Sequence, residues 1–324
     1  MRQSLNTRWT ACAVTALGAA KLVACSVIIA ARNAEKFLPE TLRSLANQTF
    51  DDFEVIVVDD GSTDGTAALA QGETSYPISL LTGPAKGVSA ARNFGLKHAK
   101  GAWIVFLDAD DLLVENGLAR FAQTLSENPK AVCALAGIAR IAEDGRALPS
   151  DDNRDLARVD DPMAVLLRKN FIVNGAALAI RRDALAQSGG FDETLTYGED
   201  WELWCRILSL GPMVIVEGDR LVAYRQVGSG ANYKAREDAF ARNVACLDRI
   251  AVNPTLRAQY GRSLDKAMRA RRIDVFWSGV RSELQFGTKW RAVLLGLGGL
   301  CLYPYTALRP SLAMRFVRSM RRSK

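Results

Sequence analysis

The sequence predicts an α/β protein: a mostly parallel sheet with helices on both faces, followed by a helical C-terminal extension. Two observations predict the sheet. Apolar runs alternate with helical patterns, and those runs are apolar throughout rather than at every second position, as strands covered on both faces must be. Helical patterning from about Ala235 onward predicts the extension. With 324 residues, 49% hydrophobic and 24% charged, the chain suits one large globular domain with an appendage, or two small domains.

The elements follow in order. "VACSVIIAA" (Val23 to Ala31) is a β-rich run, too short to span a membrane. Asn33 stands where it can cap a helix through about Ala46, with Phe37, Leu38, Leu42 and Leu45 on one face and Pro39 in the first turn. "FEVIVV" is the second strand, and "DDGSTDGT" breaks the chain before the short helix of "AALAQ". "ISLL" is a third strand, "GVSAARNFGLKHA" a helix and "AWIVFL" a fourth strand. After Glu115 a helix runs to about Ser126, "AVCALAGIARI" is a strand and "EDGR" a turn. Pro149 to Asp161 is polar and acid-rich, which predicts a mobile loop. "AALAIRR" is another strand, and "YGEDWELWCRIL" has Trp201, Trp204, Cys205 and Leu208 at helical spacing. Residues 1–22 are weakly like a signal peptide and read as a disordered leader.

In parallel sheets ligands bind beyond the carboxyl ends of the strands. Asp59 and Asp60 follow the second strand; Asp108, Asp110 and Asp111 follow the fourth. Five acids therefore fall on one rim. In an extended chain side chains two apart point the same way, so Asp108 and Asp110 project together. Such carboxylates are hard oxygen ligands suited to Mg²⁺ or Mn²⁺. The same residues also make turns and caps, with Asp111 placed to start the helix of "LLVENGLARF". "VVDDGSTDGT" is turn chemistry with Asp64 as a cap, or a nucleotide pocket whose carboxylate accepts from base or ribose. In "GED" (Gly198 to Asp200) the acids complement the helix dipole, or hold a general base on a rigid element.

The order of these stretches is more specific than any one of them. "SVIIAARNAEKFLPETLRSLANQTFDDFEVIVVDDGSTDGT", "GVSAARNFGLKHAKGAWIVFLDADDLL", "GGFDE" and "GEDWELWCR" together resemble the family 2 glycosyltransferases, inverting enzymes of the GT-A fold, over about Val23 to Arg225. The resemblance implies a GT-A domain at 23–234, a nucleotide-sugar donor and Mg²⁺ or Mn²⁺. By position it implies that Asp60 reads the nucleotide, with Ala30 and Arg32 on the rim of the same pocket and Arg92 in contact with the nucleotide. Asp108 and Asp110 match the D-x-D, with Asp110 the better metal ligand, and Asp200 matches the catalytic base. Many members carry Tyr-Arg-x-His after the last strand; "AYRQVGSG" has Val227 at the His position, so Gln226 substitutes or fewer protein ligands hold the metal. Two other readings were open. A sugar nucleotidyltransferase would place a Gly-rich basic loop where "AARNAEKF" stands, and an inactive nucleotide-binding scaffold would have no need of Asp60, Asp108, Asp110 and Asp200 together.

Composition excludes several further classes. His98 is the single histidine, which removes most zinc sites and every His-based triad. Six cysteines without a CxxC pair read as free thiols. The net charge of +7 is concentrated at the end of the chain, where the last sixteen residues carry Arg309, Arg315, Arg318, Arg321, Arg322 and Lys324 and no acid. That is a basic tail, and no nucleic-acid partner is expected.

Within the helical region 235–324, Ala292 to Leu308 is uncharged, flanked by Lys289, Arg291 and Arg309. It sits at the lower limit for a span, and Pro304 and several glycines weaken it. Leu312, Phe316, Val317 and Met320 share a helical face with basic residues mostly off it, the composition of an interfacial helix. The expected partners are a glycan or polyprenyl-linked acceptor and the inner, cytoplasmic face of the cell membrane, where the enzyme would sit peripherally.

Overall fold

A computed structural model describes residues 23–149, 161–227, 239–286 and 289–302. The leader, the acid-rich loop and the amphipathic stretch from Leu312 lie outside the described residues.

Four parallel strands form one half of the sheet: β1 (Cys25–Ala31), β2 (Phe53–Asp59), β3 (Ile78–Thr82) and β4 (Trp103–Phe106), in spatial order β3-β2-β1-β4. β1, β2 and β4 are buried almost end to end, as apolar runs covered on both faces require. Helices α1 (Leu38–Ala46), α2 (Thr66–Gly72) and α3 (Val88–His98) make the crossovers. Gly95 lets α3 lie close on the sheet: a Cβ there would stand 2.6 Å from Ile28 Cγ2.

The second half is mixed. Beyond β4 the order runs β8 (Leu178–Arg181), β6 (Cys133–Ala142), β9 (Met213–Gln226) and β5 (Leu112–Leu113), with β7 (Ala147–Leu148) paired to β6. β8 is antiparallel to both β4 and β6, so β6 runs in the same direction as β4. α4 (Gly117–Glu127) carries the chain toward β6, while α5 (Pro162–Arg168) and the short 3₁₀ turn Gly175–Ala177 precede β8. α6 (Arg182–Ser188) and α7 (Glu199–Leu208) follow.

Two local expectations are corrected. Asn33 does not cap α1. It sits at φ 51°, and its Oδ1 accepts the Thr63 N–H at 2.8 Å, so it ties two rim loops together. The helix starts later, with Phe37 as N-cap and Pro39 in its opening turn. Asp111 does not start a helix either. Leu112–Leu113 pairs with β9 as a strand, and Asp111 is fully buried.

The extension forms α8 (Ala239–Val252), α9 (Pro254–Phe286, kinked at Gly261) and α10 (Lys289–Leu302). Cys246, Leu247, Ile250, Leu256, Leu264, Met268 and Val275 belong to the same hydrophobic core as the sheet. Arg271 of α9 stacks 5.4 Å over the Trp201 ring of α7. Cys25, Cys133, Cys205 and Cys246 are buried free thiols, and His98 sits exposed at the end of α3. No helix among the described residues is long and apolar enough to cross a membrane.

Candidate active site

The rim at the carboxyl ends of β1, β2 and β4 gathers the acids, and α3 spaces them. Just before α3, the Gly87 N–H donates to Asp60 Oδ2 at 2.7 Å. Five residues on, about 7.5 Å along a helix at 1.5 Å per residue, Arg92 Nη2 donates to Asp108 Oδ1 at 2.6 Å. Arg92 Nη1 lies 3.7 Å from Glu199 Oε1, next to Asp200, and its guanidinium lies 5.3 Å over the Phe191 ring. Burial works against the Arg92 charge, but Asp108 and Glu199 outweigh it and hold the group above its usual pKa.

Asp60 is 3% exposed, and its second carboxylate oxygen, Oδ1, is buried with no hydrogen-bond partner. An unpaired buried acceptor is costly, of order 1–3 kcal/mol, and it is relieved by a ligand that brings a donor. Asp60 N–H donates to the Ala31 carbonyl at 2.9 Å, which places the carboxylate beside the end of β1. Ala30 is half-buried on that strand end, and Arg32 is exposed just beyond it. Asp59 makes a turn contact instead, accepting the Ser62 N–H at 3.0 Å.

Asp108 to Asp111 form a turn, not an extended run: the Asp111 N–H donates to the Asp108 carbonyl at 3.1 Å. Asp108 and Asp110 remain close enough to repel, and burial together with the Asp108 charge pushes Asp110 up to about 6. Asp111 points inward, accepting from Asn174 and from the Arg225 N–H at 2.8 Å. Burial and the charges of Asp108 and Asp110 raise its pKa well above the usual carboxylate range.

Arg225, 2% exposed, holds this turn in place. Its Nε donates to the Asp110 carbonyl at 2.8 Å, its Nη1 to the Glu143 carbonyl at 2.8 Å and its Nη2 to Glu40 Oε2 at 2.6 Å. Sequence reasoning stopped at the missing histidine two residues later and missed this role. The readable signal was an arginine inside an apolar strand, which has to find acceptors. Gln226, beside that position, accepts from Arg140 Nη1 through its Oε1 at 3.1 Å.

Asp200 comes from α7. Gly198 before it is left-handed (φ 74°), and a Cβ there would lie 2.9 Å from Cys246 Sγ. This turn sets Asp200 in the first turn of the helix, where its Oδ1 accepts the Trp201 N–H at 2.6 Å and its Oδ2 stands 3.4 Å from Asn170 Nδ2. Burial first, and then the Glu199 charge, push Asp200 up to about 6. The "GGFDE" turn is fastened to α3 through Asn93, which donates to the Phe191 carbonyl at 2.9 Å and accepts the Phe191 N–H at 2.8 Å.

The glycosyl transferase family 2 model matches residues 26–189. The poly(ribitol-phosphate) β-N-acetylglucosaminyltransferase TarS of Staphylococcus aureus (strain Mu50) is 32% identical over 184 residues, 54% of this chain and 30% of that protein. The minor teichoic acid biosynthesis protein GgaB of Bacillus subtilis is 31% identical over 189 residues, 57% of this chain and 21% of that protein. Matches to two rickettsial glycosyltransferases of uncharacterised role span 26% and 58% of their lengths, so the chain covers only part of these curated relatives. Among solved structures, S. aureus TarS 1–349 with UDP-GlcNAc superposes at a TM-score of 0.60 and 20% identity, covering 80% of this chain and 81% of that one. The mannosyltransferase PcManGT from Pyrobaculum calidifontis, with GDP-Man and Mn²⁺, superposes at 0.59 and 20% identity, covering 93% and 87%. At that identity the likeness is one of fold.

Proposed function

The chain belongs to glycosyl transferase family 2, and from that premise we propose that it moves a sugar from a nucleotide-diphosphate donor to an acceptor hydroxyl by a single inverting displacement. The observation that carries this reading is the span of α3, which links a buried, half-satisfied Asp60 at one end to Asp108 and the start of α7 at the other. The interval suits a nucleotide at one end and a reacting sugar at the other.

Asp60 Oδ1 accepts an N–H or O–H from the base or ribose, with Ala30 and Arg32 lining the approach. Arg92, buried and charged, fixes Asp108 and faces the donor. Asp108 and Asp110 fit Mg²⁺ or Mn²⁺: they are hard donors, and the burial and Asp108 charge that raise Asp110 are what a divalent cation would offset. Among the described residues no third carboxylate, histidine or cysteine joins them, which leaves the rest of the shell to water and the donor's phosphates. Bound there, the ion supplies neutralisation of the charge that collects on the departing diphosphate.

Asp200 takes the proton of the acceptor hydroxyl. With a pKa of about 6 it is ionised at neutral pH yet more basic than an ordinary aspartate. The acceptor oxygen bonds to the anomeric carbon as the bond to phosphate breaks on the opposite face, which inverts the centre. The acceptor we propose is a hydroxyl of a cell-envelope glycan or of a polyprenyl-linked glycan, in keeping with the named roles of the TarS and GgaB relatives.

The test is a thermal-unfolding screen of nucleotide-sugars with and without Mn²⁺, beginning with UDP-GlcNAc and GDP-Man. A donor at a hundredfold its Kd adds about 2.7 kcal/mol of stability. We expect at least one donor to protect, more strongly with Mn²⁺, and Asp60→Ala to remove the protection. A protein that no nucleotide-sugar protects would overturn the reading.

A further inference from the structure

Helix α10 packs on α9 by one face and leaves an apolar stripe on the other. Ala292 is 1% exposed, and a Cβ at Gly296 would lie 3.9 Å from the side chain of Val280, itself 1% exposed on α9. At 100° per residue, positions 292 and 296 share one side of the helix, and 290, 294 and 297 fall within about 60° of each other on the opposite side. There Trp290 is 81% exposed, Leu294 67% and Leu297 56%. Among the described residues only Val252 matches that exposure in a large apolar side chain, and it stands alone at a helix end. A contiguous exposed apolar stripe marks an interaction surface.

Charge and composition choose the occupant. From Lys289 to Lys324 the sequence has eight Lys and Arg and no Asp or Glu, so this stretch accounts for all of the chain's excess positive charge. An apolar stripe headed by tryptophan, on a segment of purely basic charge, matches the boundary of an anionic bilayer: leucines reach the acyl region, an indole sits at headgroup level and cations meet lipid phosphates. A second copy of the chain would bring the same positive charge to the interface. We propose that the Trp290–Leu294–Leu297 face docks this protein on an anionic lipid surface without spanning it. The proposal rests on the transferase reading only for what the surface would offer, a lipid-borne acceptor; binding to lipid requires no turnover.

The experiment is sedimentation of the full chain with vesicles of phosphatidylcholine, alone or mixed with phosphatidylglycerol, at low and high salt. The protein should pellet with the anionic vesicles at low salt and much less with neutral vesicles or at high salt. Leu294→Ser/Leu297→Ser, at side chains that touch little of the protein, should fold as the parent does and bind anionic vesicles about tenfold more weakly or worse. Val252→Ser should bind like the parent. Failure of the parent to pellet, equal binding to neutral vesicles, or equal binding by the double variant would each overturn the proposal. So would a dimer in light scattering that the double variant dissolves while the parent ignores vesicles, since a second copy would then cover the stripe. Donor protection measured on the same preparations reports the transferase reading separately.

Discussion

Asp200 meets two opposing demands, and they can be measured apart. Its folded pKa of about 6 lies above the value of an unfolded aspartate, so the folded chain binds the proton more tightly. Stability from this group is present at low pH and is lost as pH rises from about 4 through 6, by as much as about 3 kcal/mol. Asp200→Asn should therefore unfold later than the parent at pH 8 and at the same point near pH 4. The same variant should bind donor normally and lose about 10²–10⁴ in turnover, and the parent's kcat/KM should rise with pH through about 6. Weakened donor binding with the maximal rate preserved would make Asp200 a binding residue and pass the base role to Glu199. Asp60→Ala separates binding from folding in the other direction. It orphans the Gly87 N–H but also removes an unpartnered oxygen, so stability should change by no more than about 1 kcal/mol, while donor KM rises tenfold or more. The positions of both acids were legible in the sequence because local patterns reveal the strand that Asp60 follows and the helix whose first turn holds Asp200.

At the scale of elements, the D-x-D stretch was expected to be extended and is a turn. One of the two readings of these acids had Asp111 begin a helix, yet it is bonded to the backbone of β9, 114 residues away in the chain. No local pattern reports such a partner. Arg225 is the other half of that contact, and its donors reach three segments at once. Replacing it with methionine keeps the apolar stem and leaves the Asp110 and Glu143 carbonyls and Glu40 without their donor. We expect a loss of about 2–4 kcal/mol, read by chemical unfolding. Arg225→Lys keeps the charge but not the fork, and should fold while binding Mn²⁺ more weakly in a metal titration. A lysine variant that holds the metal as tightly as the parent would show that the turn orders itself.

For the whole molecule, the α/β class and the parallel half followed from the sequence because each crossover is local. The reversal of β8 did not, since the direction of a four-residue strand is set by the path of α5 and the 3₁₀ turn before it. The helical extension was legible only as helix; that its first two helices complete the core was not, because their apolar positions meet partners from distant segments. A chain ending at 234 should therefore lose solubility or cooperative unfolding, whereas one ending at 286 should keep both. The seam at β8 also carries a temporal consequence. During synthesis β4 emerges about seventy residues before the strand that covers its free edge, so the growing chain holds an open, apolar sheet border for several seconds at about 5–20 residues per second. The half that carries Asp60 can close on itself in that interval, while the half that carries Asp200 waits. Amide exchange on nascent chains arrested near residue 150 should accordingly find β1 and β2 protected and the outward amides of β4 open, and release of the chain through β8 should close them.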